Sequence, residues 1–526
     1  MPASQNKSEI ASVPTGELRG FEPPSVSDIE AMARLDGIDL IDGEAAHLHG
    51  TVATLVMAAS RAVHRETISI PLRPGRRDPG HRTSPGEDPL NAFIRRCVVE
   101  GASTGPLAGR TVAVKDNIAV GGVAMTEGST FPPFTPSVDA VVIERILDAG
   151  GTIVGTLNMD AHGGGATGVM SAFGPTRNPV DAGRSAGGSS TGAGAAVRSG
   201  AVDLALGVDQ GGSGRIPAAF CGVVGVKATH GLVPSFGVGH IDHTIDHVTP
   251  LARCVHDAAV LLEVVAGDDW RDPQWVRGPI TTGDYATAAR DGVEGMRIGV
   301  IEESVSAVDC ERAVLEGLER AVVALRGAGA IVESFSLPIW ADGFAIYQPL
   351  VAHLIANMIR SEGVGYGHLG YIDVDRSHAF AAARRAGSER INPYLKCWML
   401  ADRFLHERHL NVTFGILQNQ RLLVRRRICE ALQDWDLLLT PTVPMVAPRL
   451  FDHEPTIDEL IAHSPAAVAF NTAPLNLSGH PGVSVPTEWG RGGALPTAIQ
   501  LIAPHFAEYD AFRAAFVLES AIGPFE

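Results

Sequence analysis

A basic surplus is the first thing this chain lacks. It carries 42 lysines and arginines against 59 aspartates and glutamates, a formal charge of −17, whereas a nucleic-acid ligand calls for a basic face. Basic and aromatic residues do not alternate either, so nucleic acid is not expected as a partner. Cysteine is sparse. Cys97, Cys221, Cys254, Cys310, Cys397 and Cys429 are scattered, with no CxxC pair, which suits neither a disulfide framework nor a zinc site. The polar start MPASQNKSEIASVPTGEL lacks the apolar centre of a signal peptide. No stretch reaches the ~18 continuous apolar residues of a membrane span. A soluble cytoplasmic protein with no membrane partner is expected. With aromatics at only 6% and apolar residues at 45%, its core should be mainly aliphatic.

What the chain has in abundance is glycine and proline, 59 and 34 residues, which imply many tight turns between short elements. Its 526 residues permit one to three domains. Residues 1–24 read as a loose arm. Ser27-Asp-Ile-Glu has the form of a capping box before Ile29, Met32 and Ala33 at helical spacing. A second helix is expected over 47–64, and the Pro-, Arg- and Gly-rich segment 72–89 as a loop.

From about residue 107 strands and helices alternate. Thr111–Val114, Thr152–Gly155 and Val202–Val208 read as strands, and Val138–Ala149 as a helix capped by Ser137 and stopped by Gly150-Gly151. Met296–Val300, a helix over 310–327 and Ile331–Phe335 repeat the rhythm. Residues 340–435 read as a polar helical insert, and Asp436–Thr440 and Val483–Val485 return to strand character. Such alternation predicts an α/β fold, a sheet covered by helices on both faces. The expected organisation is an arm over 1–24, a helical extension over 25–90 and a main domain over 91–526, with no internal repeat.

The chemistry sits in three segments: Lys115 in VAVKDNI, Ser189 in AGGSSTGAG and Ser213 in DQGGSGRIPAAFCG. An amide carbonyl resists water, so its hydrolysis calls for an activated nucleophile, a proton shuttle and an oxyanion site. Ser213 follows Gln210-Gly211-Gly212, where glycines let consecutive N–H groups converge on one point; those groups are candidates for an oxyanion hole. A lysine serves as base when burial lowers its pKa, and Lys115 ends an apolar strand. Ser189 could carry a proton between Ser213 and Lys115, a variant of triad logic. Taken singly, each segment has a plain structural reading. Ala186–Ala196 could be a linker or close helix packing, Lys115 a solvated lysine. A phosphate loop is excluded because GxxxxGK[ST] is absent.

The run Gly187–Thr229 resembles the signature block of the amidase signature family, and VAVKDNI resembles that family's lysine segment in order and distance. The similarity extends through FGPTRNP, DLLLTPTVP, NLSGHPGVSVP and LPTAIQLIAPHF, covering roughly residues 85–520. DQGGS, TIDHVTPLARCVHDAA and the helical preface are similar to bacterial amidases of nitrile breakdown. The resemblance implies Lys115 as base, Ser189 as bridging serine with a cis peptide, and Ser213 as nucleophile. Asp209 and Arg215 would hold the glycine turn rigid. It also implies a single mixed sheet of about eleven strands surrounded by helices, and no metal or organic cofactor. Departures fall at Gly214, where a side chain is usual and a more mobile turn is expected, and at Thr191 and Ala193. In NMDAHGGG, Ala161 and His162 depart too, and Gly163, Gly164 and Gly165 should widen the wall near the nucleophile. His162, Gly163, Gly164, Met170, Thr442 and Val443 are the expected substrate contacts.

Other clusters are weaker. Gly239-His240-Ile-Asp242-His243 with Asp246 and His247 has irregular spacing for a metal site, and its histidines read as hydrogen-bonded or surface groups. His480 in SGHP reads as a turn residue rather than a base. Arg425-Arg426-Arg427 reads as one solvated helix face. The leading expectation is a serine amidase acting on a small-molecule amide with a small to medium aliphatic or aryl acyl group, as a homodimer. A second is the glutaminase subunit of a tRNA-dependent amidotransferase, which shares the signature block but fits the preface and DQGGS less well. A third is a non-catalytic binding protein on the same fold.

Overall fold

A computed structural model of the chain describes residues 22–523 apart from 64, 66, 67, 273, 275–281 and 367–369. The expected arm lies outside the described residues as far as residue 21. The chain divides into two compact units, 1–71 and 72–526.

In the first unit, helices Val26–Asp36 and Glu44–Val63 form a pair. The cap is Ser25 rather than Ser27: its hydroxyl accepts from the Asp28 N–H and Asp28 returns the bond, closing the capping box two residues earlier.

The second unit is built on one mixed sheet. Its strands are β1 (Arg77–Arg82), β2 (Phe93–Val99), β3 (Thr111–Lys115), β4 (Thr152–Leu157), β5 (Leu204–Asp209) and β6 (Val224–Lys227), then β7 (His247–Ala252), β8 (Arg297–Ile301), β9 (Ile331–Phe335), β10 (Leu437–Pro441), β11 (Gly482–Glu488) and β12 (Thr497–Ile502). They lie in the order β1-β2-β4-β3-β5-β7-β6-β11-β12-β10-β8-β9. That makes 12 strands among the described residues where about eleven were expected. The additional Arg77–Arg82 falls inside the segment read as a loop: proline and glycine obscure its pattern, but pairing with β2 fixes it as an edge strand.

Strands near the centre of the sheet are apolar throughout. β5 (LALGVD) is buried at every position, as a strand covered on both faces must be. Parallel pairing of β3 with β4 and with β5 places the end of β3 beside the end of β5. Val112, Val114, Leu206 and Val208 join the main aliphatic core. The helix after β3 begins at Val141, not Val138, with Ala140 rather than Ser137 at its cap. Residues 340–435 are helical as expected: Ile339–Arg360, Val374–Ala386, Pro393–His409 and Val412–Ala431. The first of these is not polar. Trp340, Leu350, Leu354, Ile355 and Ile359 are buried in a second core cluster.

Candidate active site

Two glycine-rich segments meet at the ends of β3 and β5. Helix Thr191–Arg198 follows the first and Arg215–Cys221 the second, and they touch closely. A Cβ on Gly194 would lie 2.6 Å from the Pro217 carbonyl, and one on Gly192 would lie 2.0 Å from the Ala92 carbonyl. The small residues of 186–196 therefore serve close packing, not a linker. Ser190 anchors this segment to β5: its hydroxyl donates to the Val208 carbonyl (3.0 Å) and accepts the Val208 N–H (3.1 Å).

Lys115, the last residue of β3, is fully buried. Its Nζ donates to Ser189 Oγ at 2.8 Å and reaches the Val208 carbonyl at 3.3 Å. The Gly188–Ser189 peptide is cis. Burial pulls the lysine down to about 7, against the opposing charges of Asp160, Asp209, Asp246 and Glu127. Asp160 is a buried neighbour not singled out in the sequence. It accepts from Met170 N–H (2.7 Å) and Gly168 N–H (3.1 Å), and its own N–H donates to the Ser189 carbonyl (3.1 Å). Burial raises its carboxyl to about 6 despite those bonds and the lysine. Its signal was the aspartate in NMDAHGGG.

The turn carrying Ser213 is held by a buried ion pair. Arg215 clamps Asp209 in two places, Nε to Oδ2 at 2.9 Å and Nη2 to Oδ1 at 3.0 Å. Arg215 also donates to Gln500 (3.0 Å), Asn476 (2.7 Å) and the Thr472 carbonyl (3.1 Å). Burial pushes the Asp209 carboxyl up, but the Arg215 charge and the bonds from Arg215 and Asn476 outweigh it and hold it well below the carboxylate range. The same carboxylate accepts the N–H groups of Gly212 (2.8 Å), Gly214 (3.2 Å) and Arg215 (3.3 Å). Gly212 N–H is thus occupied, which leaves Gln210 and Gly211 of the expected oxyanion set.

Gly214 does not loosen this turn, contrary to expectation. A Cβ there would sit 2.4 Å from Thr249 Cγ2, so the glycine admits close packing by β7. The neighbouring serine segment is tied in by Ser190 N–H, which donates to the Ser213 carbonyl at 3.1 Å. Thr191, the other departure, gains partners: its hydroxyl bonds Thr176 Oγ1 (2.7 Å) and the Asn158 carbonyl (3.0 Å).

Ser213 opens onto a cavity of about 380 Å³. Gly163, Gln210 and Gly211 line it beside the serine, and Phe344, Tyr347, Ile355, Trp398 and Leu405 of the insert form its far wall. No Lys, Arg, Asp or Glu is among its described lining residues. Of the expected substrate contacts only Gly163 lines this cavity. His162 turns the other way, its Nδ1 paired with Glu127 Oε2 (3.0 Å) between Phe131 and Phe380. Gly164 faces Leu395, with 2.4 Å for a Cβ, and lies off the cavity; Gly165 lines the cavity beside Gly163, although a Cβ on it would meet Asp160 at 2.5 Å. Met170 donates its backbone N–H to Asp160 and is buried outside the cavity lining. Thr442 bonds Ser484 Oγ (2.9 Å), and Val443 packs with Ile216 and Phe220. These residues were placed by order along the chain, whereas the wall is made by the insert. Tyr347 is the contact most clearly missed: a Cβ on Gly211 would meet its hydroxyl at 2.0 Å.

A family model for amidases matches residues 94–511. The chain belongs to the amidase signature family. Amidases of this kind are enzymes that cleave carbon–nitrogen amide bonds, and the fold agrees with theirs. The chain is 39% identical over 433 residues to a glutamyl-tRNA(Gln) amidotransferase subunit of Halobacterium salinarum, covering 82% of this chain and 99% of that one. Among solved structures it is similar to the corresponding amidotransferase subunit from Thermotoga maritima, with 31% identity, a TM-score of 0.66 and coverage of 82% and 88%. It is also similar to 6-aminohexanoate cyclic dimer hydrolase in complex with substrate, with 26% identity, a TM-score of 0.68 and coverage of 80% and 86%. These relatives correct one expectation, that of a homodimer with a small-molecule amide as partner and no nucleic acid. The amidotransferase relatives are named as one subunit of an enzyme acting on glutamyl-tRNA(Gln). The inference from charge failed because a net charge averages over the whole surface and does not report a local patch or a companion protein. Among the described residues no helix is long and apolar enough to cross a membrane.

Proposed function

We propose that this amidase hydrolyses a carboxylic amide through an acyl-enzyme on Ser213. The observation that carries the reading is the buried Lys115–Ser189 contact beside the Ser213 turn. Neutral Lys115 draws a proton from Ser213 by way of Ser189, and Ser213 Oγ forms a bond to the amide carbon. The carbonyl oxygen takes up the negative charge and is received by N–H groups of Gln210 and Gly211. The proton returns along the same path to the leaving nitrogen, the C–N bond breaks, and water then releases the carboxylate. Gln210 Oε1, buried without a partner, is an acceptor for a substrate N–H. Asp209 and Arg215 position the turn. The setting proposed is the cytoplasm, where the six cysteines, all unpaired in the structure, stay reduced.

The amide donor has two readings. The first is glutamine, with the chain acting as the ammonia-releasing subunit of a tRNA-dependent amidotransferase. It rests on relatives of that name which the chain covers almost end to end. The second is an amide with an apolar acyl group. It rests on a cavity whose described lining residues include no charged group to pair with the α-ammonium or α-carboxylate of glutamine. Ammonia release from glutamine, measured with and without the companion proteins and charged tRNA, is compared with release from aliphatic and aryl amides. Turnover of glutamine that depends on the companions supports the first. Turnover of apolar amides in preference to glutamine supports the second, and turnover of neither sinks the proposal.

A further inference from the structure

Three side chains that the reaction does not use meet at the end of the helical insert. Cys429 lies near the end of helix Val412–Ala431, His480 in the turn between helix Ala473–Ser478 and β11, and His505 just past β12. Cys429 Sγ is 3.4 Å from His480 Nε2 and 3.9 Å from His505 Nδ1. The potential ligand atoms of all three lie within 4.8 Å of one another. Tetrahedral zinc, with sulfur at about 2.3 Å and nitrogen at about 2.0–2.1 Å, sets sulfur and nitrogen about 3.6 Å apart. The two sulfur–nitrogen distances bracket that value.

The surroundings orient the rings for the same task. His505 Nε2–H donates to the Ser478 carbonyl (3.1 Å). That bond leaves Nδ1 as a lone pair facing Cys429, the arrangement in which metal-bound histidines are held. His480 is fully buried, its Nδ1 has no hydrogen-bond partner, and the Cys429 sulfur faces its Nε2. The unpaired atom is Nδ1, which a metal at Nε2 does not reach; what His480 contributes is an Nε2 already aimed at the Cys429 sulfur, in a ring whose centroid lies 3.8 Å from that of His505. Cys429 is only partly buried, which leaves a path for an ion.

We propose that Cys429, His480 and His505 bind a zinc(II) ion, with the fourth position open to water or another ligand. One thiolate and two imidazoles form a donor set suited to zinc. On binding, the Cys429 S–H bond breaks, its proton goes to solvent and sulfur forms the bond to the metal. Arg425, which interacts electrostatically with all three groups, opposes a cation, so the thiolate bond must outweigh that repulsion. The ion would clip the insert's last helix to the segments flanking β11 and β12. Spacing along the chain hides such a site, because the ligands come from three distant segments with no CxxC pair.

The test is a cobalt(II) titration of the full chain after chelator treatment. A thiolate-to-cobalt charge-transfer band with intense tetrahedral d–d bands, displaced by zinc, is expected. Cys429→Ser should abolish the charge-transfer band, and His505→Ala should weaken affinity by about tenfold or more. Zinc should raise the thermal midpoint of the native protein and not that of Cys429→Ser. Absence of the band in the native protein overturns the proposal. So does a band of full strength in Cys429→Ser protein with a native circular dichroism spectrum.

Discussion

Lys115 Nζ and Ser189 Oγ lie 2.8 Å apart, both side chains fully buried, and the contact joins the end of β3 to the first of the two serine segments. A charged lysine in that position would forfeit hydration with no carboxylate in hydrogen-bond contact, since the atoms it reaches are a hydroxyl and the Val208 carbonyl. The more distant carboxylates, Asp160 first, only partly offset the burial. The neutral form is favoured, and a neutral amine hydrogen-bonded to a serine can take its proton.

The activity should therefore follow the lysine's titration. Lys115 titrates at about 7; it is charged below that value and neutral above. The rate kcat/KM on an amide should rise from about pH 6 to about pH 8, then level. In Lys115→Ala the profile should flatten and the rate fall about 10²–10⁴-fold. A variant as fast as the native protein throughout this range removes lysine as the base.

Ser213 should matter to turnover and little to stability, because its side chain opens onto the cavity. Ser213→Ala should lower kcat by at least about 10³-fold while stability changes by no more than about 0.5 kcal/mol. Labelling by a fluorophosphonate, read by mass spectrometry, should appear on Ser213 and vanish in the variant. Equal labelling of the two proteins contradicts the assignment, and failure of the native protein to label revives the non-catalytic reading.

Arg215 should matter to stability as well as rate. Arg215→Met leaves the Asp209 carboxylate buried without its counter-charge, at a cost of about 3–5 kcal/mol in urea unfolding. The sign with pH follows from the depressed Asp209 carboxyl. The pair's contribution is whole at neutral pH and is lost as pH falls below the ordinary carboxylate range. The native protein should thus lose its advantage over the variant in acid; an advantage that grows there contradicts the pairing.

Gly214 and Thr249 should be coupled. Gly214→Ala puts a methyl group 2.4 Å from Thr249 Cγ2 and should destabilise by about 1–3 kcal/mol. Thr249→Gly removes the clashing atoms, so the double variant should be more stable than the two single losses add up to. Simple additivity shows that the glycine is not there for this contact.

The three central residues were legible because each sits in a segment whose pattern has one cause. β3 must be apolar to cross a buried sheet, so the lysine at its end stands out. The glycines around Ser189 and Ser213 mark close backbone approach, which the Pro217, Thr472 and Thr249 contacts bear out. β1 was missed because an edge strand needs no apolar alternation. The pocket wall was missed because order along the chain carries no direction: His162 and Gly163 are neighbours, yet one packs against Glu127 and the other lines the cavity.

By itself the sequence determined the alternating α/β architecture, since apolar runs and glycine positions are local constraints on the backbone, and its motifs pointed to the family and to the three residues proposed for its chemistry. Tertiary structure alone decided the rest. Folding the insert over the glycine turn brought Tyr347 and Trp398 to Ser213, made the cavity apolar, and gathered Cys429, His480 and His505 from three distant segments. Such contacts depend on packing between elements far apart in the chain, and no local pattern records them.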